Sequence, residues 1–318
     1  LVPSSGTARC QLPDCSLPRD GTFLTRFSGV STKGLQRQLC RTTENRRWQV
    51  LRDDCSPFHR AVLLSAGGRG ASQWLLNTSA MSNTRFVLSA RACLGLNLTG
   101  VPNGSCSCGD SMKNLHFLVC PDLKGNLIRR HNMLRDEVTR ALTCFGFNVF
   151  VEPRPYSDSL ARPDHHVMLP GGASAYLDVG INNPAAPSNV DRGSVKVGAV
   201  AQSMVVDKKR DFLHREGLDP ADLFFPLIFD AFGAVHEEVK DAVGLLFADV
   251  QERLGWAAAQ LFHRVWRRRT SDAVQRGMAW VLAKGFTRSD TGPKFVLAGG
   301  SDLDLLVPRR ELSPVSAP

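Results

Sequence analysis

Two aspartates with thirteen residues between them are the side chains of this chain best suited to metal-assisted chemistry. Asp164 follows Pro163 in a predicted turn, and Asp178 lies within the apolar run 176–181. An ionised carboxylate inside such a run is costly unless a cation meets it. Mg²⁺ binds proteins through one or two carboxylates, and a bound metal ion lowers the pKa of its water for attack on a phosphodiester. The pair therefore predicts a site for Mg²⁺ or Mn²⁺, with a simple turn aspartate as the alternative for Asp164.

Lys208 is the third candidate for this site. In a helix predicted at 195–213, the apolar residues form one stripe, and Lys208 falls near its middle at about 100° per residue. A lysine on a face that packs against a sheet is costly unless it meets an anion, which Asp178 or a bound phosphate would supply. The alternative is a lysine that reaches solvent from near the helix end. Glu137, on the preceding helix, is a candidate third acid, and Glu152, at the end of the first strand, competes with it.

A basic run at the start of the first helix of this region offers contacts to phosphate groups. The run consists of Arg129, Arg130, His131 and Asn132. Arginines near a helix N-terminus, where backbone N–H groups point outward, suit phosphate binding. His131 shares a helix face with Leu134, so it should point towards the sheet. A solvated basic cap is the alternative interpretation of the same residues.

A separate group of metal-ligating residue types precedes this run. It consists of Cys106, Cys108, His116 and Cys120, which fall within fifteen residues. Thiolate and imidazole ligands suit Zn²⁺, which prefers a closed tetrahedral site when its role is structural. The gap between Cys106 and Cys108 is one residue narrower than the usual minimum, so ligation by both thiols would be strained. The spacing predicts a zinc knuckle, with free cysteines and a core histidine as the alternative.

Composition narrows the class of protein and of partner. The 318 residues carry a net charge of +9, and a pI near 9.3 favours a polyanionic partner, nucleic acid before an acidic membrane. No apolar run approaches the roughly 18–20 residues of a membrane helix. Nine cysteines are an odd number and indicate no dense disulfide framework. Three Asn-x-Ser/Thr triplets leave a secreted cysteine-containing protein as a weaker hypothesis, whereas the N-terminus, without Met or signal peptide, suggests an internal piece of a longer product.

Helix and strand signals alternate through the middle of the chain. A helix ending near Gly146 precedes strands at 147–151, 165–169 and 176–181, a helix at 195–213 and an apolar strand at 223–229. This order predicts an α/β fold, a mixed sheet with helices on its faces. Five regions are expected: an irregular leader at 1–57, a helical segment with the knuckle at 58–128, a core at 129–233, C-terminal helices at 234–285 and a disordered tail at 286–318.

The order of these motifs resembles the C-terminal region of non-LTR retrotransposon reverse transcriptase polyproteins that carry a restriction-like endonuclease. The resemblance covers roughly residues 58–285 and rests on four motifs in sequence: Cys-x-Cys…His-x3-Cys, Arg-His-Asn, Arg-Pro-Asp-x13-Asp and a lysine-bearing helix. It implies a PD-(D/E)xK restriction-endonuclease-like fold that nicks target DNA to prime reverse transcription. Asp164 and Asp178 match the metal-binding acids of that family, and Lys208 matches a catalytic lysine that has moved to the helix after the third strand.

The same resemblance implies cofactors, partners and a cellular location. The implied cofactors are structural Zn²⁺ in the knuckle and Mg²⁺ or Mn²⁺ at the two aspartates. DNA is the implied partner, with element RNA as a second candidate and no membrane partner. The implied location is nuclear, within the cell. Three features depart from the family pattern: position 180, where the simplest motif has its lysine, is Gly180; the first gap of the knuckle is short; and no reverse-transcriptase acidic motif is visible. The alternative is therefore a catalytically inactive nucleic-acid-binding remnant of such an element.

Overall fold

The structure, a computed structural model, describes residues 32–96, 98, 106–110, 115–153, 162–169, 173–213 and 222–288. The chain divides into two compact units, Leu1–Asp54 and Cys55–Pro318. All of the candidate site residues belong to the second unit. Within the described part of the chain, no helix combines the length and the apolar character needed to cross a bilayer.

The first unit contains a helix where an irregular leader was expected. Helix α1 spans Thr32–Asp54, and residues 1–31 lie outside the described part. The stretch 35–56 contains neither Gly nor Pro and is rich in Leu, Gln and Arg, which favour helices. Val50 and Leu51 are about half exposed, so the helix has no buried apolar stripe at this end. Periodicity could not reveal such a helix, because periodicity detects a buried face.

The second unit is built on a four-stranded mixed sheet, so the predicted α/β class is correct. The strands are β1 (Asn148–Val151), β2 (His165–Met168), β3 (Ser174–Asn182) and β4 (Leu223–Asp230), in the spatial order β1-β2-β3-β4. The β1–β2 and β2–β3 pairs are antiparallel, and the β3–β4 pair is parallel. A parallel neighbour requires a crossover connection, and the chain between β3 and β4, which contains two helices, provides it.

Helices cover both faces of this sheet. They are α2 (Pro57–Ala66), α3 (Asn83–Cys93), α4 (Lys124–Thr143), α5 (Val190–Gly193), α6 (Ala199–Leu213), α7 (Glu237–Leu254) and α8 (Trp256–Arg288), with short 3₁₀ turns at Gln73–Ala80, His116–Leu118 and Pro121–Leu123. Residues of α4, α7 and α8 share one core with Val167, Leu177 and Leu227 of the sheet. Helix α6 packs on the opposite face against Ile228, since successive strand residues point to opposite faces.

A second core lies between α8 and the segment that carries the cysteines. Phe117, Leu118 and Leu123 pack there with Met278 and Leu282 of α8. Helix α8 continues to Arg288, so residues 286–288, which were expected to belong to a disordered tail, are helical. Phe286 is buried and its ring meets that of Phe117 with centroids 5.7 Å apart. This contact accounts for the extra turn of helix, and residues 289–318 lie outside the described part.

Candidate metal centres

The sheet places the two aspartates directly opposite each other. In the antiparallel register His165 pairs with Leu177, so one step further along the pair Asp164 faces Asp178. Asp164 is buried, and the Asp178 side chain is 21% exposed. Burial and the adjoining Asp164 carboxylate raise the pKa of Asp178, although the ammonium of Lys208 opposes them. We name Asp164 and Asp178 the acid pair; two neighbouring, partly buried carboxylates are a centre that attracts cations.

Asp164 is held by a histidine and a backbone amide. Its Oδ2 accepts the backbone N–H of Val179 at 2.7 Å and lies 3.2 Å from Nε2 of His131. The pKa of His131 is raised, first by the hydrogen bond to Asp164. Burial alone would raise the pKa of Asp164, but His131 and the Val179 amide outweigh it and lower that pKa. Asn132 Oδ1, 3.4 Å from His131 Nδ1, orients the ring from its other side. His131, a member of the basic run, therefore contacts Asp164 of the acid pair and helps to hold its carboxylate in place.

Asp178 pairs with Lys208, which helical periodicity predicted to lie on the face of the helix that packs against the sheet. Nζ of Lys208 donates to Oδ2 of Asp178 at 2.6 Å, and the lysine side chain is 25% exposed. The adjacent Lys209 turns elsewhere and pairs with Glu238 at 2.7 Å. The one-residue difference in direction between the two lysines follows from the helical repeat.

Gly180 lets the lysine stem approach the third strand. A Cβ built on Gly180 would lie 2.6 Å from Cδ1 of Ile228, 2.8 Å from Sδ of Met204 and 3.3 Å from Cε of Lys208. The Lys208 stem thus passes beside the space that a side chain at position 180 would fill. Position 180 is where the simplest acid-x-Lys arrangement would carry its lysine. Here Lys208 of α6 places its ammonium group near that position instead.

The two candidate third acids lie in different places. Glu152 continues the line of the acid pair, because its backbone N–H donates to the carbonyl of Asp164 at 2.9 Å. Its backbone is left-handed, with φ of 47°, and its carboxylate pairs with Arg135. A left-handed non-glycine residue is uncommon and costs free energy. The backbone of Glu152 therefore lies next to the acid pair, but its side chain points towards α4.

Glu137 does not join the acid pair. Oε1 accepts from Arg140 at 2.6 Å and from Arg276 at 3.0 Å, while Oε2 accepts from Arg269 at 2.9 Å. The Glu137 side chain is only 8% exposed. Its pKa is lowered, because the hydrogen bonds and charges of these arginines overcome the effect of burial. Glu137 therefore ties α4 to α8 through a buried charge network.

The phosphate grip expected at the start of the first helix is not formed as predicted. Helix α4 begins at Lys124, so the run 129–132 lies inside the helix, away from its outward-pointing N–H groups. Arg130 is buried, with Nε and Nη1 unpaired, and burial lowers its pKa to about 10. Arg129 alone of the two arginines is exposed, and its guanidinium lies 4.0 Å from the centre of the Trp280 ring. The 3₁₀ turn Pro121–Leu123 leads straight into α4, and Gly125 is accommodated within its first turn.

The cysteine–histidine group forms a compact cluster, which we name the knuckle cluster. It comprises Cys106, Cys108, His116 and Cys120, whose ligand atoms all lie within 4.8 Å of one another. Cys106 and Cys120 have their Sγ atoms 3.6 Å apart, and Cys108 Sγ lies 3.1 Å from Nε2 of His116. Three thiols and one imidazole at this spacing could hold a zinc ion. The narrow first gap does not keep either thiol out.

A tight turn brings the first two cysteines together. The N–H of Gly109 donates to the carbonyl of Cys106 at 2.9 Å, and Gly109 has φ of 90°, a conformation that favours glycine. Burial would raise the pKa of Cys106, but hydrogen bonds from the Cys108 backbone and from Cys120 hold that pKa at about 7. Burial raises the pKa of Cys120 to about 12. Zinc requires thiolates, so binding would release protons from the cluster.

Sequence reasoning missed two features of these centres. His131 was assigned to nucleic-acid binding, although it shares a helical face with Leu134 and was therefore expected to point towards the sheet. Sequence reasoning also missed the partners of Glu137, because Arg269 and Arg276 lie 132 and 139 residues away along the chain. A comparison with models of known protein families gave no match, and a comparison with curated proteins gave none either.

Proposed function

We propose that this chain is a Mg²⁺-dependent DNA endonuclease with a PD-(D/E)xK type of nuclease core, derived from a non-LTR retrotransposon polyprotein. The observation that carries the proposal is the meeting of Asp164, Asp178 and Lys208 at the start of β2, between the two inner strands, from positions up to 44 residues apart. Two carboxylates and a lysine at one point are the parts that metal-assisted phosphodiester hydrolysis requires. The mixed sheet flanked by helices is compatible with such a core.

Each residue has a defined role in this mechanism. Asp164 and Asp178 would hold Mg²⁺ or Mn²⁺ through their carboxylate oxygens, with His131 and the Val179 amide fixing the orientation of Asp164. When bound, the ion would polarise the phosphate and lower the pKa of a coordinated water. Lys208 would orient that water or offset the charge that develops on the phosphate. Its contact with Asp178 keeps the ammonium at the site before substrate arrives.

A cationic surface around Trp280 supports DNA as the partner. The charged groups of Arg85, Arg129 and Lys284 lie 5.8, 4.0 and 5.0 Å from the centre of the Trp280 ring. Stacking on an aromatic ring holds a guanidinium in a fixed plane, which suits contacts to phosphate. Together with the net charge of +9, this surface favours binding through the DNA backbone, which weakens steeply as salt is added. A nuclear location with element RNA as a second partner is part of the same proposal.

The test is nicking of supercoiled plasmid by the full chain with and without Mg²⁺. Asp178→Ala should abolish nicking while leaving salt-sensitive DNA binding intact, because it removes a metal ligand and leaves the surface around Trp280 unchanged. Asp241→Ala is the matched control, since it removes the same charge from an exposed position on α7. Nicking by Asp178→Ala at the wild-type rate would refute the proposal.

A second candidate function is a non-catalytic nucleic-acid-binding remnant. One observation favours it: both members of the acid pair already have basic protein partners, His131 on Asp164 and Lys208 on Asp178, so the folded chain holds these carboxylates without an ion. Both functions predict binding that weakens with salt. The remnant predicts that the wild-type chain leaves plasmid intact in both Mg²⁺ and Mn²⁺.

A further inference from the structure

A row of aromatic rings crosses the whole sheet beside the acid pair. Phe150 of β1 pairs with His166 of β2, His166 with Tyr176 of β3, and Tyr176 with Phe224 of β4. The first two ring pairs are stacked, with centroids 5.6 and 4.7 Å apart and interplanar angles of 28° and 16°. We name these four residues the aromatic row. Each strand carries one ring at the same register position, and the rings from Phe150 to Tyr176 are stacked in series.

The two ends of the aromatic row differ in exposure. Helix α6 covers the end on β4, where Phe212 stacks on Phe224 with centroids 3.9 Å apart and packs near Tyr176. The end on β1 is open: Phe150 is 55% exposed on this edge strand, and Met168 on β2 is 38% exposed. An exposed apolar cluster of this kind marks a binding surface more often than isolated surface residues do. The row therefore presents a fixed ring to solvent, held from behind by stacked neighbours.

The aromatic row and Asp178 share one face of the sheet. Tyr176 and Asp178 are two residues apart on β3, so their side chains point the same way, separated along the strand by about 6.6 Å. Phe150 and His166 therefore lie one step along the sheet from the line of Asp164 and Asp178. Arg162, which is exposed, lies just ahead of Asp164 at the same end of β2. A base stacked on Phe150 would place its sugar–phosphate backbone towards the carboxylates, with a cation nearby.

We propose that the aromatic row is a stacking platform for an unpaired base next to the phosphate that is cut. This inference rests on the proposed endonuclease function and specifies its substrate as DNA with an unpaired nucleotide at the target, in preference to a fully paired duplex. Stacking on aromatic rings accepts any base, because every base has a π-face. A ring on a rigid sheet also positions the backbone more accurately than a flexible loop does.

Binding measured without cleavage tests the platform directly. The full chain is titrated in EDTA with a single-stranded oligonucleotide that carries the fluorescent base 2-aminopurine. Phe150→Ala should weaken affinity about fivefold to a hundredfold and reduce the quenching of the fluorophore, whereas Phe150→Trp should restore both. Trp256→Ala is the matched control, because Trp256 is 61% exposed on α8 and lies outside the row. Thermal unfolding checks that each variant folds.

The outcomes separate the platform from the endonuclease proposal. If Phe150→Ala weakens oligonucleotide binding while the wild-type chain never nicks DNA, the platform stands and the catalytic proposal fails. If the wild-type chain nicks DNA but Phe150→Ala binds and nicks as well as wild type, the platform is wrong. Sedimentation of both proteins provides a further check: a dimer lost in Phe150→Ala with unchanged oligonucleotide affinity would assign the exposed ring to pairing of two β1 edges, and would overturn the inference.

Discussion

The knuckle cluster and the acid pair are both candidate metal centres, but they differ in what surrounds the ligand atoms. In the knuckle cluster, three thiols and an imidazole converge within 4.8 Å, and the groups face one another. In the acid pair, each carboxylate already contacts a basic side chain, His131 at 3.2 Å and Lys208 at 2.6 Å. The ligand atoms of the first centre converge on one another, and the carboxylates of the second are already held by protein side chains.

This difference predicts two kinds of metal dependence. Thiols and an imidazole whose ligand atoms contact mainly one another depend on the ion for their arrangement, as structural zinc sites do. Carboxylates held by basic side chains keep their geometry without metal and can exchange a weakly bound Mg²⁺, as expected of a catalytic ion that retains several waters. We therefore expect zinc to contribute to folding and Mg²⁺ to contribute to reaction rate.

Removal of zinc should have the largest effect. Structural zinc contributes on the order of 10 kcal/mol to the folding of small zinc modules, and Phe117 and Leu118 connect this cluster to the core beside α8. Thermal unfolding with and without a zinc chelator should show a large drop in melting temperature, reproduced by Cys120→Ser without chelator. Addition of excess Mg²⁺ should not reverse the drop. An unchanged melting temperature would show that the cysteines are ordinary core residues.

Glu137→Gln should destabilise the fold without damaging the acid pair. It leaves Arg269 and Arg276 without their shared carboxylate, and loss of one partner in a buried ion network costs about 3–5 kcal/mol. Urea unfolding should report the loss, with Asp136→Asn as the control because the Asp136 side chain is 49% exposed. Nicking per folded molecule should stay unchanged. A selective loss of nicking would instead place Glu137 in the metal site.

Lys208→Met should slow nicking about 10²–10³-fold, the usual consequence of removing one group that stabilises transition-state charge. The apolar stem of Met can occupy the place of the lysine stem beside Gly180. Lys209→Met is the matched control, since Lys209 pairs with Glu238 and lies off the acid pair. Equal rates for the two variants would remove Lys208 from the mechanism.

Asp230 shows how a buried carboxylate behaves with no cation beside it. Asp230 is buried, which raises its pKa to about 6, and only Asn182 and Ser65 offset this burial. Because the folded pKa exceeds the unfolded value near 3.9, stability should fall as pH rises from about 4 to about 6 and remain lower above it.

Asp230→Asn should remove this dependence on pH. The variant should be more stable than wild type above pH 6 by roughly 2–3 kcal/mol, and similar to wild type near pH 4. Urea unfolding across this pH range measures the difference, with Asp241→Asn on the exposed side of α7 as the control. Parallel pH profiles for wild type and Asp230→Asn would mean that Asp230 is already stabilised as the ion.

The sequence predicted most reliably where the periodicity of apolar residues and the free-energy cost of an unpaired charge led to the same conclusion. An unpaired charge would be costly both for Asp178 in its apolar strand and for Lys208 on its apolar helical stripe, and the structure pairs the two. Helix α1 was missed because its residues from 42 onwards, where burial is described, form no buried stripe that periodicity could detect. The start of α4 at Lys124 was missed because Gly125, in its first turn, has a low helix propensity. The aromatic row depends on strand register across four strands, which no local pattern in a single strand specifies.

Binding of Mn²⁺ to the full chain, followed by electron paramagnetic resonance after the knuckle cluster has been loaded with zinc, tests the central claim most directly. The wild-type chain should bind one Mn²⁺ that Mg²⁺ displaces. Asp178→Asn should lose this ion, while Asp241→Asn should keep it. Equal Mn²⁺ binding by wild type and Asp178→Asn would contradict the claim that Asp164, Asp178 and Lys208 form one divalent-metal site.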